Sequence, residues 1–257
     1  MTNEKPKLPA FNGKPLIEIP ETVPQVGFLE GEFGEAFLEE YKGRVNADYN
    51  GNSVLNVLTY SDNVVKGSNP FAVVLVNSIL RQEGLRTATQ ADLERVIKTN
   101  VLNLIKSCED TGLVLRSEDE PNKYLAKNLA KQRKSKWKKV GKIPIVIPLN
   151  RLELVNDSNS PHGVAFKLID ESEIIYSPIL NGKNNGKPFS ETGEYGFPEQ
   201  LGEGDRTLYT RNSGLSRLDL GGDLLYSDGG NLHSSNETGR VVVVSGEGTP
   251  QKMKKKE

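Results

Sequence analysis

The residues best able to do chemistry are concentrated near the C-terminus, between Leu218 and Gly239. This stretch carries four carboxylates and no lysine or arginine: Asp219, Asp223, Asp228 and Glu237. Hard cations such as Ca²⁺ bind clustered carboxylates, but the spacing of the three aspartates fits no known calcium-binding loop. A calcium site is therefore an alternative that we do not favour, and we predict no metal. The acidic character instead favours a basic or hydrogen-bond-donating ligand.

Signatures of catalysis are sparse in the rest of the sequence. His162 and His233 are far apart in the chain, and neither belongs to a Cys/His/Asp cluster with metal-ligand spacing. The single cysteine, Cys108, excludes an internal disulfide. No Gly-x-Ser-x-Gly, Walker loop or dinucleotide fingerprint is present. We therefore predict a protein that is not an enzyme and uses no cofactor.

The stretch 207–245 reads as a buried frame that carries an exposed polar surface. Each apolar side chain contributes roughly 1.5–3 kcal/mol on leaving water, which predicts burial of Leu215, Leu218, Leu220, Leu224, Leu232 and Val241–Val244. The residues between them are typical of exposed loops and strand faces. Tyr offers contact area at low entropic cost, while Ser, Gly and Asn adapt their hydrogen bonds, as on recognition surfaces. The predicted ligand-binding residues are Asp219, Gly221, Gly222, Asp223, Tyr226, Asp228, Gly229, Gly230, His233 and Asn236.

This pattern resembles the variable region of diversity-generating-retroelement proteins, particularly the archaeal type. The resemblance rests on leucine-framed Gly, Asp, Ser, Asn, Tyr and His positions that close on Gly239-Arg240-Val241-Val242-Val243. In that family a retroelement rewrites adenine-containing codons of this region, and the fold is similar to that of C-type lectins. The resemblance implies a hypervariable surface that binds an unknown protein or surface ligand through residues 215–240. The alternative is a Gly/Asp-rich β-meander at the end of an ordinary domain.

Two helices with clear boundary signals are predicted before this stretch. Asn69 and Pro70 supply an N-cap and a proline at the first helical position, and an apolar face follows as far as Gly84. The segment 89–92 (Thr-Gln-Ala-Asp) approximates a capping box. Apolar spacing predicts that this second helix buries Cys108, which we therefore expect to be unreactive, and continues to a C-cap at Gly112.

The linker between these helices, residues 84–94, supports the same fold. It resembles the Gly-(Leu/Tyr)-Arg-Leu-Pro-Thr-Glu-Ala-Glu-Trp-Glu signature of the formylglycine-generating-enzyme branch of C-type lectin folds, and it departs from that signature at Thr87, Ala88 and Leu93. The catalytic members of that branch use two cysteines. Because this chain has one, their chemistry is not expected here.

The sequence as a whole predicts an α+β protein with a C-type lectin-like fold, in which two helices precede a β-rich C-terminal half. We expect a proline-punctuated arm with one edge strand and a short helix over residues 1–47, a ligand-binding domain over 48–245, and a disordered basic tail over 246–257. Strands are predicted at 53–60, 113–116, 143–149, 164–169 and 173–177, with the third of these at a sheet edge because prolines flank it.

A basic insert over residues 123–142 offers an alternative function. It holds nine basic residues and no acidic ones, with Trp137 inside the run. Lys and Arg could contact phosphates while Trp137 stacks on a base, as in a nucleic-acid-associated protein. We favour a solvated helix with Tyr124, Leu125 and Leu129 facing inward, because an acidic turn adjoins the insert and no nucleic-acid motif accompanies it.

Global charge and hydropathy give no sign of a membrane or nucleic-acid partner. The 33 basic and 34 acidic residues of the 257-residue chain nearly cancel, so no overall field attracts either partner. No apolar run approaches the roughly 20 residues that span a bilayer, and the first residues lack the apolar core of a signal peptide. We expect a soluble protein that is cytoplasmic, or associated with a virion or cell surface by a route without a signal peptide.

Overall fold

The structure, a computed structural model, describes residues 17–19, 22–104, 107–132, 143–169 and 175–245. It confirms the α+β class. The four helices of the described residues are α1 (Gly31–Tyr49), α2 (Pro70–Leu80), α3 (Gln90–Thr99) and α4 (Lys123–Gln132). The strands are β1 (Ile17–Ile19), β2 (Thr22–Phe28), β3 (Thr59–Ser61), β4 (Val64–Lys66), β5 (Leu85–Thr87), β6 (Glu109–Leu115), β7 (Ile145–Pro148), β8 (Leu152–Asn156), β9 (Val164–Leu168), β10 (Ile175–Tyr176), β11 (Lys187–Phe189), β12 (Arg206–Tyr209), β13 (Leu215–Gly221), β14 (Leu224–Tyr226) and β15 (Val242–Ser245).

A curled, half-barrel sheet of seven strands organises the molecule, in the order β10-β7-β6-β13-β14-β12-β11. Neighbouring strands are antiparallel except for the parallel pair β12 and β14. A second sheet has the order β1-β2-β15-β5, so that a strand near each end of the described chain lies in it. β3 pairs with β4 and β8 with β9 in two separate hairpins.

The large sheet separates two hydrophobic clusters, as the period of two along a strand requires. Leu113 and Leu115 of β6 face a cluster built with α1, α2 and α4. Val114 faces the opposite cluster, which includes α3 and β15. Helix α2 is buried along its length except at Ser78. The central strands β6 and β13 are therefore covered on both faces, and their polar side chains need partners inside the protein.

The predicted helix starts are confirmed, but the predicted end of α3 is wrong. The Asn69 side chain accepts the Ala72 N–H at 2.8 Å, and Thr89 and Asp92 form both bonds of a capping box. Helix α3 ends at Thr99, and its C-cap, Asn100, adopts a left-handed conformation with φ of 50°. Gly112 is instead a residue of β6, where an added Cβ would lie 3.2 Å from the Ile147 carbonyl oxygen of the neighbouring strand. Long-range strand pairing has overridden the local helical spacing.

Other boundaries also differ from the sequence prediction. Residues 53–57 form turns rather than a strand, because local hydrogen bonds such as that from Val54 N–H to the Asn52 side chain compete with pairing. The short helix predicted near residue 33 extends to Tyr49. β7 is not at an edge, because β10 pairs with its outer side. The predicted edge strand near the N-terminus is present as β1.

The first half of the basic insert forms α4, with Leu125 and Leu129 buried and Tyr124 partly buried, as predicted for a solvated helix. Residues 133–142, including Trp137, lie outside the described residues, as do the predicted basic tail and most of the predicted arm. Among the described helices, none combines the length and the apolar character needed to cross a membrane.

The predicted leucine frame is correct except at one position. Leu215, Leu218, Leu220, Leu232 and the four valines are buried, whereas Leu224 is only partly buried. Leu225 takes its place with 0% exposure, because it lies between Leu220 and Leu208 across three strands. In β14 the odd and even positions face opposite sides, so one of the two leucines must face outward.

This difference predicts unequal effects for two adjacent substitutions. Leu225→Ala leaves a cavity in the core and should lower the free energy of unfolding by about 2–5 kcal/mol. Leu224→Ala, the matched control in the same strand, should lower it by about 1 kcal/mol or less. Urea denaturation of both variants measures the difference. Equal losses would contradict the assigned orientation of β14.

Candidate functional site

A cavity of about 990 Å³ opens beside the β13–β14 hairpin. Eight of the ten predicted ligand-binding residues line it: Asp219, Gly221, Gly222, Asp223, Tyr226, Asp228, Gly229 and Asn236. Gly230 lies outside the cavity against Arg211 and Pro121. His233 also lies elsewhere, with its exposed ring 5.3 Å from the ring of His162.

One wall of the cavity was not predicted from the sequence. Ile97 of α3 and Leu102 and Leu104 of the following loop supply an apolar surface, with Asn100 and Asn103 beside it. The sequence prediction placed these residues within one continuous helix. The left-handed Asn100, a residue type that tolerates this conformation, is the one local signal that could have indicated a loop.

Asp219 is buried, which corrects the prediction that it lies on an exposed face. Its exposed fraction is 6%, because β13 is a central strand. A bulge in β6 places Asp219 opposite Asp110 and leaves Thr111 unpaired. Two carboxylates therefore meet across neighbouring strands.

Arg217 lies between these two carboxylates and neutralises one of them. Its Nε donates to Asp110 Oδ1 at 2.8 Å and its Nη2 to Oδ2 at 2.6 Å, a bidentate pair. Asp110 Oδ2 also accepts the hydroxyl of Ser68, just before α2, at 2.7 Å. Arg217 Nη1 donates to the carbonyl of Ser234 at 3.3 Å. The ion pair thus ties the two central strands to α2 and to the loop that borders the cavity.

The partners of Asp219 are weaker. Its Oδ2 accepts the thiol of Cys108 at 2.8 Å, and its Oδ1 lies 3.5 Å from Arg217 Nε. Burial raises the pKa of Asp219 to about 7; the attraction of Arg217 opposes this, and the charge of Asp110 adds to it. At neutral pH this carboxyl is therefore close to its titration midpoint.

Cys108 lies in the loop before β6 and lines the cavity, rather than on a helix as predicted. Burial, followed by the charge of Asp219, raises the pKa of its thiol above the usual range. Because the thiolate is the reactive form, the contact between thiol and carboxylate is not arranged for nucleophilic catalysis.

The motif Gly239-Arg240 contacts Cys108 and Asn103, two residues that line the cavity. A Cβ at Gly239 would lie 2.5 Å from Ser68 Oγ and 2.9 Å from the Cys108 carbonyl oxygen, so a larger residue does not fit. The Arg240 guanidinium lies 4.4 Å from the ring centre of Phe28, and its Nη2 donates to the carbonyl of Asn103 at 2.6 Å. These contacts attach the cavity wall to the closing strand β15.

Glu109 is fully buried beneath this motif. It accepts the hydroxyl of Ser107 and, with both oxygens, the backbone N–H of Arg240 at 3.2 Å. Burial raises the pKa of Glu109 to about 8, while these hydrogen bonds act in the opposite direction. The carboxyl is a structural acceptor for the loop and the closing strand.

Arg116, at the end of β6, holds the other side of the hairpin, and no acidic side chain of the described residues forms an ion pair with it. It donates to the carbonyls of Leu180 and Ser227 and to the hydroxyls of Ser216, Thr210 and Ser227, at distances of 2.7–3.0 Å. Burial lowers the pKa of Arg116 to about 9, so its charge persists at neutral pH. This single cation fixes the loops on which β12 and β14 end.

The structure also brings together two histidines that are distant in sequence. The His162 ring lies 5.1 Å from that of Phe71, and partial burial together with His233 lowers its pKa. No third ligand joins them: within the described residues, no group of three His, Cys, Asp or Glu side chains could hold a metal ion.

Comparison of the chain with protein-family models, with curated proteins and with solved structures found no match. The function of this cavity is therefore argued from its own residues.

The buried Glu109 predicts a stability that falls as the pH rises. Its folded-state pKa of about 8 lies above the ordinary value of 4.5. Between these values the folded protein holds a proton that the unfolded chain has lost, so the free energy of unfolding declines with rising pH. Glu109→Gln should reduce this decline by on the order of a few kcal/mol.

Urea unfolding between about pH 5 and about pH 8 measures how the free energy of unfolding of wild type and of the variant changes with pH. The contributions of other titrating groups cancel in the difference between the two profiles. Glu203→Gln, at an exposed position, is the control and should follow the wild-type profile. A Glu109→Gln profile parallel to that of wild type would show that the Glu109 proton is not linked to folding.

Proposed function

We propose that this protein is a non-enzymatic ligand-binding protein and that the cavity beside the β13–β14 hairpin is its recognition site. The observation that carries the proposal is the convergence of eight polar and small residues, chosen by type alone, on one cavity. Cavities of about 300–1,000 Å³ that combine apolar walls with a few polar groups are typical of small-ligand sites. The apolar wall at Leu102 and Leu104 and the carboxylates opposite it match that description.

We further propose that the domain is C-type lectin-like and that residues 215–240 are a variable region diversified by a retroelement. Two features support this. The capped helices α2 and α3 precede a β-rich half, and the leucines of the stretch are largely buried while residues between them line the cavity. A frame of this kind holds the backbone when side chains facing the cavity change.

The fixed and replaceable positions can be distinguished by their contacts. Asp223 is exposed, and Asp228 and Asn236 are partly exposed. A Cβ at Gly229, in contrast, would lie 2.9 Å from Cγ of Arg217, which the ion pair with Asp110 holds in place. The positions that can be substituted are thus fewer than the ten predicted ligand-binding residues, and they exclude Asp219 and Gly229.

Sequencing of the 3′ end of this gene and of the downstream DNA, in the source population, tests the retroelement. We expect a near-repeat of the codons for residues 215–240 that differs chiefly at adenines and lies beside a reverse-transcriptase gene. Variation should be concentrated at Asp223, Tyr226, Asp228 and Asn236. If both the repeat and the reverse transcriptase are absent, the stretch is an ordinary β-meander.

Substitution tolerance tests the division into frame and surface. Asp223→Ser and Asp228→Ser should each change the free energy of unfolding by no more than about 0.5 kcal/mol, as at other surface positions. Gly239→Ala should lower it by about 1–3 kcal/mol, because the added methyl group overlaps Ser68 and Cys108. Thermal or urea unfolding of the purified variants provides the comparison. Large losses at both aspartates would contradict a replaceable surface.

A further inference from the structure

The charges that line the cavity are unbalanced. Two arginines reach it, but each is committed to a carboxylate outside it. Arg206 donates to Glu94 at 2.6 and 2.8 Å, and Arg217 is bound to Asp110. The remaining charged groups of the lining are acidic: Asp205, Asp219, Asp223 and Asp228. Among the described residues, acidic side chains therefore outnumber basic ones in the lining, and both arginines of the lining already have carboxylate partners.

Asp219 carries hydrogen-bonding capacity that the described residues do not use. A carboxylate offers about four lone-pair sites, yet the one hydrogen bond to Asp219 comes from the Cys108 thiol, a weak donor. The nearest N–H, on Arg217 Nε, is directed at Asp110 Oδ1, which leaves Asp219 Oδ1 at 3.5 Å without a hydrogen bond. Because Asp219 lines the cavity, the oxygen that accepts no hydrogen bond is available to a donor on a ligand.

The rest of the lining suits a cation on an apolar stem. The Tyr226 ring stacks on Tyr209, with ring centres 5.3 Å apart and planes 15° from parallel. Aromatic faces attract ammonium and guanidinium groups. Leu102 and Leu104 on the facing wall offer contact for methylene groups.

We propose that the cavity binds an alkylguanidinium or alkylammonium group, with its charge beside Asp219 and Asp228 and its stem along the apolar wall. This inference rests on the proposed function and specifies the ligand class of that site. An arginine or lysine side chain of a partner protein and a free alkylamine both present this chemistry. A phosphate or carboxylate ligand would meet the same carboxylates and should bind more weakly.

Binding of small probes to the full chain, followed by amide chemical shifts in NMR, tests the inference. n-Butylguanidinium and n-butylammonium should give saturable shifts at Gly221, Gly222 and Gly229, with affinity about tenfold above that of neutral N-butylurea, because a charge-assisted hydrogen bond is stronger than a neutral one. An acetylated Gly-Arg-Gly amide distinguishes the two sources. Affinity equal to that of n-butylguanidinium indicates a protein side chain, and exclusion of the peptide indicates a free amine.

Three variants locate the charge. Asp219→Asn should weaken n-butylguanidinium binding about tenfold, and Asp228→Asn, at the cavity mouth, about threefold. Asp228 is partly exposed, so its variant remains informative if Asp219→Asn does not fold. Glu237→Gln makes the same charge change on the bordering loop outside the lining and should leave the affinity unchanged.

The pH dependence of n-butylguanidinium binding supplies an independent readout, because the guanidinium group keeps its charge at every pH used. Since burial raises the pKa of Asp219 to about 7, affinity should increase as the pH rises through neutrality and Asp219 loses its proton. The charged and titratable groups that face Asp219 are Arg217, Asp110, Cys108, Tyr226 and Asp228. The pH dependence should disappear in Asp219→Asn.

Two results would overturn the inference. Equal affinity for n-butylguanidinium and N-butylurea would refute a cation site while leaving a ligand cavity in place, so the proposed function would survive. Absence of shifts at the cavity with either cation, up to the solubility limit, would also refute the cation site. The proposed function would still be tested separately, by adenine-directed variation of the gene.

Discussion

The buried ion pair between Arg217 and Asp110 is the interaction on which the rest of the structure depends. It joins the two central strands, fixes Ser68 at the start of α2 and holds the loop at Ser234. Loss of one partner of such a pair leaves an uncompensated buried charge and costs about 3–5 kcal/mol.

The same ion pair creates the chemistry of the cavity. Arg217 satisfies Asp110 completely and reaches Asp219 only at 3.5 Å. The β6 bulge places the two carboxylates opposite each other, so the second one remains under-satisfied and its pKa is raised by burial to about 7. The stability of the sheet and the proposed binding of a cation in the cavity thus depend on one arrangement of three charged side chains.

Residues that hold the backbone and residues that face the cavity are different members of one short stretch. Gly239 has no room for a side chain, and Arg240 attaches the loop at Asn103 to β15. Arg116 fixes the opposite end of the hairpin through uncharged acceptors. Between these anchors, the exposed Asp223 and the partly exposed Asp228 line the cavity. The proposed variable surface depends on this separation, because side chains there could change while the anchors remain.

Local interactions determined what the sequence alone could predict. The caps at Asn69 and Thr89, the helix at 123–132 and most of the leucine frame depend on residues a few positions apart, and the structure has them as predicted. Most of the candidate cavity residues could also be predicted by type, but the same reasoning failed for Asp219, which is buried.

Tertiary structure decided everything that depends on pairing between distant segments. The sequence predicted that a helix continues to a C-cap at Gly112, but residues 109–112 belong to β6 because β13, about a hundred residues later, pairs with that strand. That pairing buried Asp219, and the approach of the 157–163 loop to the 231–236 loop brought His162 next to His233. Hydrophobic periodicity and secondary-structure propensity depend on neighbours along the chain. The burial of a side chain and its pKa are set by neighbours in space.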